Sequence, residues 1–410
     1  MSVIAATMDR VPPVLSECAC PSFGRRILAG FRKGLAFFWK YFLGMIYCQS
    51  AIGGVLIVGW TYRLVQRSVL KRWWRMSGFR RSGQGYKAFL ESHDRTRAMV
   101  HWPNWVVESD FMNVVGRRTR QNPGLWKGTI ALGKSLVHSL WLNFRIGLRG
   151  ILNTWVLTLP GCILWLFGWY DGWNNSFNKG YEQAAVGPLL GWLGVLLFII
   201  AMLYVPMAQV RQAATGNWRS FYQFRVVWRL VRQKWFMCML LAGLYSLAYL
   251  PVAILKMAPI SFSDNPAIMD HSNAQIIEFL QAYFFWASVV VFPAYVSLRL
   301  VAARIYASAL VRTVQNGKVP IAALQPEEKE DLERLGLLTV REERRLPWPL
   351  RLFAWAVRSG VKTATVFIWF IFVSQIFIAE FFNYHPGKGW LNQTLVQLPW
   401  FHDIPYDQLK

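Results

Sequence analysis

Acidic residues are scarce in this chain of 410 residues, which has 21 Asp and Glu against 45 Lys and Arg. Charged residues of both signs make up only 16% of the composition, whereas a soluble domain carries about a quarter. Five cysteines are too few for a disulfide scaffold. Near-average Gly and Pro and 54% apolar residues exclude collagen-like and disordered chains. A net charge of +24 then leaves a membrane protein with basic connecting segments, or a nucleic-acid binder with an unusually apolar core.

Long apolar runs without Asp, Glu, Lys, Arg or His decide between these two classes. A bilayer core is crossed by about 20 residues of helix. The runs that approach this length are 41–62, 150–170, 186–206, 235–255, 279–298 and 363–379. Helices of a soluble core would be shorter and charged on one face. The runs therefore predict an all-α fold, a polytopic helical membrane protein with five or six transmembrane helices and basic interfacial amphipathic helices.

The charges between the runs indicate orientation, since Lys and Arg are retained on the cytoplasmic side. The segments 63–149, 207–234 and 299–362 together carry a charge of +24, which equals the formal charge of the whole chain. The sequence therefore predicts a multi-pass protein in which these segments are cytoplasmic and the tail 380–410 is outside.

The run 41–62 is an exception because basic residues flank it on both sides. One interpretation is a sixth span, which places the N-terminal segment 1–40 outside. The other is a re-entrant or interfacial hairpin that bends near Gly53 and Gly54 and leaves five spans. The larger positive charge of the segment 63–149 favours six.

The predicted domain organisation follows from the runs and from the charges between them. It comprises a tail with a basic amphipathic helix (1–40), a first apolar span that is alternatively re-entrant (41–62), a basic cytoplasmic segment (63–149), a transmembrane hairpin (150–206), a basic interfacial helix (207–234), a second hairpin (235–298), a cytoplasmic loop with an acidic helix (299–362), a last span (363–379) and a non-cytoplasmic tail (380–410).

Basic amphipathic helices are predicted before four of the runs. At 100° per residue, their apolar residues share one face and their cations form a narrow stripe. The stripe cations are Arg25, Arg26, Arg32, Lys33, Lys127, Lys134, Arg145, Arg225, Arg229, Arg232, Arg351, Arg358 and Lys362. Such helices lie in the headgroup plane, where anionic lipids attract each basic residue by about 1 kcal/mol. Anionic phospholipids are therefore the expected partners. Nucleic acid is not an expected partner, because no fold that recognises DNA or RNA is visible between these basic patches.

Side chains that carry catalytic or metal chemistry are not found within the runs. The six histidines are scattered and include no pair at helical spacing, so we expect no metal, no cofactor and no catalytic residue. The remaining candidate is a polar cluster in the predicted outer tail, formed by Glu380, His385, His402 and Asp403. It could bind a metal or share a proton, but aromatic residues at headgroup level favour an interfacial cap.

An acidic helix is predicted inside the last cytoplasmic loop. Gln325 and Pro326 with two following glutamates are typical of a helix start, and Gly336 indicates its end. We expect this helix to contact the chain's own segment 63–149, with docking on another protein as the alternative.

Residues 208–221 (AQVRQAATGNWRSF), followed by a basic helix and a proline-bent span, resemble bacterial polytopic membrane proteins grouped as a domain of unknown function. The segments 302–306, 380–385 and 390–393 add to the resemblance, which covers roughly 145–400. It implies a multi-pass protein of the bacterial cell inner membrane and transfers no catalytic role to any residue.

These features lead to three hypotheses of function. The first is a non-enzymatic scaffold at the cytoplasmic face, with other membrane proteins as partners. The second is a carrier or lipid-handling protein whose pathway is lined by spans bent at Pro160, Pro251 and Pro293. The third is a membrane enzyme that uses the polar cluster of the outer tail.

Overall fold

The computed structural model describes residues 23–78, 85–86, 89, 125–168, 186–262, 265, 270–339, 347–381 and 391–404. Within these residues there are nine α-helices and no strands. The helices are α1 (Phe23–Tyr47), α2 (Ala51–Met76), α3 (Leu125–Phe167), α4 (Val186–Thr215), α5 (Phe224–Gln233), α6 (Trp235–Phe262), α7 (Asn273–Gln315), α8 (Pro326–Arg334) and α9 (Trp348–Phe381). Short 3-10 turns lie at Trp218–Tyr222 and Ile321–Ala323.

Five of the helices, α3, α4, α6, α7 and α9, are long and apolar enough to cross a membrane. Their most apolar windows have mean hydropathies between 1.6 and 2.3. Four of the helices contain a whole predicted run, and α3, which ends at Phe167, contains residues 150–167 of the run 150–170. Helix α7, with 43 residues, is about 65 Å long and extends beyond a bilayer core of about 30 Å. The prediction of an all-α, polytopic helical membrane protein is therefore confirmed.

The run 41–62 does not form one helix. Helix α1 ends at Tyr47, and α2 begins at Ala51 behind Ser50, whose hydroxyl accepts a hydrogen bond of 3.0 Å from the amide of Gly53. The chain therefore turns at 48–50, slightly before the glycine pair that the sequence indicates. Neither α1 nor α2 is among the five helices that are long and apolar enough to span.

The chain divides into two compact units, Met1–Lys40 and Tyr41–Lys410. In the described part of the first unit, the apolar side chains of Phe31, Leu35 and Phe38 are exposed. The second unit contains all five long apolar helices and the interior that they enclose.

Helix α2 lies at the centre of the second unit, where it packs against α3, α4 and α7. Its buried residues extend from Gly53 to Trp73 and include charged and amide side chains. Backbone contact with α3 is very close, because a methyl group on Gly59 would overlap with the carbonyl of Asn143, and one on Gly147 would overlap with the carbonyl of Val55. Small residues permit such an approach between helices in a membrane.

The other two long helices, α6 and α9, pack mainly on α7, on α4 and on each other rather than on α2. Helices α3 and α4 form one hairpin, and α6 packs against α7. Helix α9 packs on α6 and α4 but is covered least, with 22% of its apolar window buried against 44–50% in the other four. In α3 and in α9, the predicted basic helix and the apolar run that follows it form one continuous helix. The basic helix α5 is instead separate, and Lys234 joins it to α6.

We expect Gly147→Ala to destabilise the protein by about 1–3 kcal/mol, because the added methyl group meets backbone that cannot move away without separating α2 from α3. Reversible unfolding in detergent would measure the loss. The matched control is Gly133→Ala in the same helix, where a methyl group meets nothing within 4 Å and a gain of up to about 1 kcal/mol is expected. Equal effects of the two substitutions would contradict the close helix contact.

Candidate functional site: buried arginines and an inserted C-terminal segment

Three arginines at the ends of the predicted runs lie inside the bundle. Arg63 and Arg211 are 0% exposed, and Arg299 is 2% exposed. The sequence counts all three as cytoplasmic charges, since each directly follows a run or lies a few residues beyond it. The structure instead encloses them between helices, so each guanidinium depends on acceptors from its own chain.

Arg211 on α4 forms an ion pair with Glu328 on α8. Its Nε donates to Oε1 at 3.1 Å, and its Nη2 donates to Oε2 at 3.2 Å. Two further groups donate to the same carboxylate. They are the hydroxyl of Tyr306 and the backbone N–H of Gln325, which lies 3.0 Å from Oε2. Both side chains of the pair are fully buried. The bidentate geometry and the additional donors are what a buried pair requires to compensate for lost hydration.

This ion pair docks the acidic helix α8 within the chain. The helix begins at Pro326, and Gly336 beyond its end has φ +63°, as the sequence indicates for start and stop. Its carboxylate Glu328 both caps its own first turn and pairs with Arg211. The docking is therefore intramolecular. The cation that Glu328 contacts lies in the segment 207–234, while Asp331 of the same helix is within electrostatic range of Tyr86 in the predicted partner segment 63–149.

We expect Glu328→Gln to destabilise the protein by about 3–5 kcal/mol, because it leaves the charge of Arg211 buried without a counterion. Chemical unfolding in detergent would measure this loss. The control is Glu330→Gln on the same helix, which removes an exposed pair with Arg334 and should cost about 0.5 kcal/mol or less. A loss for Glu328→Gln as small as that of the control would contradict the role of the buried pair.

Arg63 on α2 takes a neutral partner. Its Nη1 donates to the side-chain oxygen of Asn143 on α3 at 2.9 Å, one helical turn from Gly147. The close contact between α2 and α3 therefore brings this amide within reach of the guanidinium.

The C-terminal segment 391–404 enters the bundle as a loop. The side chain of Asn392 joins its two limbs, since its Nδ2 donates to the carbonyl of Trp400 at 2.6 Å and its Oδ1 accepts from the amide of Leu398 at 3.0 Å. A single helical turn forms the tip, where the amide of Gln397 donates to the carbonyl of Gln393 at 2.9 Å. Residues 392–399 are all buried.

The tip of this loop contacts three of the spanning helices. The carbonyl of Val396 accepts hydrogen bonds from Arg299 Nη2 at 2.6 Å and from Gln209 Nε2 at 3.2 Å. The backbone carbonyl of Gln397 accepts a hydrogen bond from the Tyr295 hydroxyl at 3.2 Å. The side-chain Nε2 of Gln397 donates to the Thr158 hydroxyl at 2.6 Å. Residues 393–397 thus connect α3, α4 and α7 through polar contacts.

This placement differs from the interfacial cap that the aromatic residues of the tail indicate. Aliphatic side chains of the segment, such as Leu395 and Val396, are buried together with its amides. The side-chain amides of Asn392 and Gln397 are the sequence signal for an inserted loop, because they supply hydrogen bonds that a backbone without regular structure needs inside a membrane protein.

The polar cluster predicted in the outer tail is described only in part. The side chain of Glu380 and all of His385 lie outside the described residues. The ring of His402 stacks on Phe284 of α7, with 4.5 Å between centroids and 9° between planes. Burial lowers the pKa of His402 to about 4, and the neighbouring Asp403 opposes this shift. His402 is thus a neutral packing residue at neutral pH.

We expect thermal stability to fall as the pH is lowered from about 6.5 towards 4, because the pKa of His402 in the folded protein lies below its unfolded value and protonation charges a half-buried ring that stacks on Phe284. Thermal unfolding followed by tryptophan fluorescence between pH 7.5 and 4.5 would measure this. His402→Phe keeps the stacking and should lose this part of the pH dependence. His271→Phe, at an exposed position, should behave like the wild type; an unchanged pH profile in His402→Phe would contradict the assignment.

The predicted stripe cations that the structure describes all lie on the surface. They are Lys134, Arg145, Arg225, Arg229, Arg232, Arg351, Arg358 and Lys362. The ammonium group of Lys362 is 5.5 Å from the ring centroid of Trp235. The side chains of Arg25, Arg26, Arg32, Lys33 and Lys127 lie outside the described residues. Lipid contact of these residues stays a prediction.

Among the described residues, no group of three or more His, Cys, Asp or Glu side chains could hold a metal ion. The sequence matches no protein-family model, and no curated protein and no solved structure is significantly similar to it. The helices themselves therefore define the class, a polytopic helical membrane protein, and the resemblance to the bacterial domain of unknown function stays a prediction.

Proposed function

We propose that this chain is a non-enzymatic scaffold of the bacterial cell inner membrane that holds other membrane proteins at its cytoplasmic face. Its basic helices rest on anionic phospholipid and fix the depth and orientation of that face. The tail begins at residue 380 on the opposite side in this proposal, and its segment 391–404 returns into the bundle.

The observation that carries the proposal is the shared exposure of cations and large apolar side chains on the same helices. Along the first half of α9, Phe353 is 70% and Trp355 is 67% exposed beside the exposed cations Arg351 and Arg358. At the start of α3, Trp126 is 83% exposed. A surface that is both apolar and basic matches the boundary between acyl chains and anionic headgroups.

The polar groups inside the bundle also favour the scaffold, because they are engaged within the chain itself. Arg211, Glu328 and Arg63 contact other side chains of the chain itself, and the loop 391–404 fills the space between the spans. These groups stabilise the fold, whereas the exposed stripes remain available for lipids and other proteins.

The carrier hypothesis gains less from the structure. Pro160, Pro251 and Pro293 lie within uninterrupted helices, and the first two are on the exposed surface rather than facing the interior. A cavity of about 10 Å³ between α4, α6 and α9 has room for about one water molecule, which is too small for a lipid or metabolite pathway.

Affinity purification from native membranes tests the proposal through two readouts, co-purifying proteins and retained phospholipids. We expect wild type to recover a stable partner and to be enriched in anionic lipid. The triple substitution Arg351→Gln, Arg358→Gln and Lys362→Gln should retain several-fold less anionic lipid, because it removes about 1 kcal/mol of attraction per cation.

The charge-matched control substitutes the exposed cations Arg312, Lys318 and Lys329 by Gln. These lie outside the stripes, so lipid retention should stay close to that of the wild type. Recovery of this chain alone, without a stable partner, would contradict the scaffold. Equal lipid loss in the two triple variants would contradict the lipid contact of the stripes.

A further inference from the structure

The C-terminal loop 391–404 is closed by hydrogen bonds of its own. The side chain of Asn392 donates to and accepts from the backbone of the returning limb. At the tip, the backbone amide of Gln393 donates to the side-chain oxygen of Gln397, and the backbone amide of Gln397 donates to the carbonyl of Gln393. Because these bonds lie within the loop, they are kept when the loop moves as one body.

Two kinds of contact hold the loop between the helices. The first are hydrogen bonds at the tip, where Val396 and Gln397 bond to side chains of α3, α4 and α7. The second is burial of aliphatic side chains, including those of Leu395 and Leu398. Movement of the loop out of the bundle breaks both kinds of contact and leaves the helices intact.

Several polar atoms at this contact have no partner while the loop is closed. In the loop, both polar atoms of the Gln393 amide and the hydroxyl of Thr394 are buried without a hydrogen-bond partner in the described structure. Of the two side chains that donate to Val396, Arg299 has no partner for Nε and Nη1, and Gln209 has none for Oε1. Burial of unsatisfied polar groups is unfavourable, so their hydration favours opening and opposes the gain from apolar burial.

We propose that the loop 391–404 is a plug that opens as one body while the surrounding helices stay folded. Opening uncovers a polar cleft between α3, α4 and α7, with the positive charge of Arg299 and the donors of Gln209 and Tyr295 that now hold backbone carbonyls. The plug does not depend on the proposed scaffold function, because it lies in the interior and not on the basic stripes.

Thiol labelling of the purified full-length protein in detergent tests the plug through the variant Thr394→Cys. Thr394 is 0% exposed, and a thiol replaces its unpartnered hydroxyl with little change in volume. The native thiols Cys162 on α3 and Cys238 on α6 are 1% and 3% exposed and report opening of the helices in the same molecule. Each maleimide labelling rate is measured by peptide mass spectrometry and divided by the rate at the same site in the unfolded protein. We expect position 394 to react about 100-fold faster than either native thiol, because local opening requires less free energy than global unfolding.

Two tyrosine variants, each combined with Thr394→Cys, distinguish the plug from a general loosening of the bundle. Tyr295→Phe removes a hydroxyl that donates to the loop, so labelling at position 394 should rise about five-fold with no change at Cys162. Tyr245→Phe removes a buried hydroxyl without a partner and should not raise it. Labelling of position 394 as slow as that of Cys162 and Cys238 would overturn the proposal, as would equal acceleration at all three positions in Tyr295→Phe.

Hydrogen exchange of the wild type answers the same question without a substitution in the loop. Peptides that cover 391–404 should exchange faster than peptides that cover the buried residues 302–311 of α7. Equal protection of the two segments would mean that the loop opens only when the helices unfold, which contradicts a plug.

Discussion

Each guanidinium inside the bundle has at least one hydrogen-bond acceptor within the chain, and the positions of these acceptors determine which segments pack around it. Arg211 is met by the carboxylate of α8, Arg63 by an amide of α3, and Arg299 by a backbone carbonyl of the C-terminal segment. These partners are separated from the arginines by 80 residues or more. Buried charge therefore fixes the positions of a short surface helix and of an irregular loop, neither of which has a long apolar face of its own.

Helix packing and charge compensation depend on each other at the contact between α2 and α3. Gly59 and Gly147 allow the two backbones to touch, and the same approach places the side chain of Asn143 beside Arg63. A wider separation would weaken dispersion contacts and also leave the guanidinium without its amide. Because α2 in turn contacts α4 and α7, this pair positions the helices that carry the other two arginines.

Five of the six uncharged runs form helices long and apolar enough to span, as their length predicts. The run 41–62 has a similar length but is divided between α1 and α2, so the sixth span that the charges favour is not formed. The acidic helix follows from its cap residues and from Gly336. Burial of Arg63, Arg211 and Arg299 could not be predicted from the sequence. An arginine at the end of an apolar run indicates the cytoplasmic end of a span, whether its side chain faces water or another helix. The break between α1 and α2 contains no proline or charge, and the inserted loop has only its amides, such as Gln397, to distinguish it from a surface tail.

The insertion of residues 391–404 has a consequence for the order in which the protein is made. Ribosomes synthesise this segment after every helix that it joins, so Arg299 and Thr158 are made before Val396 and Gln397. Until the segment is made, the guanidinium of Arg299 lacks the carbonyl of Val396 as its acceptor, and the hydroxyl of Thr158 lacks the side-chain amide of Gln397 as its donor. Completion of the interior therefore requires a polar stretch of chain, made after these helices, to pack between them.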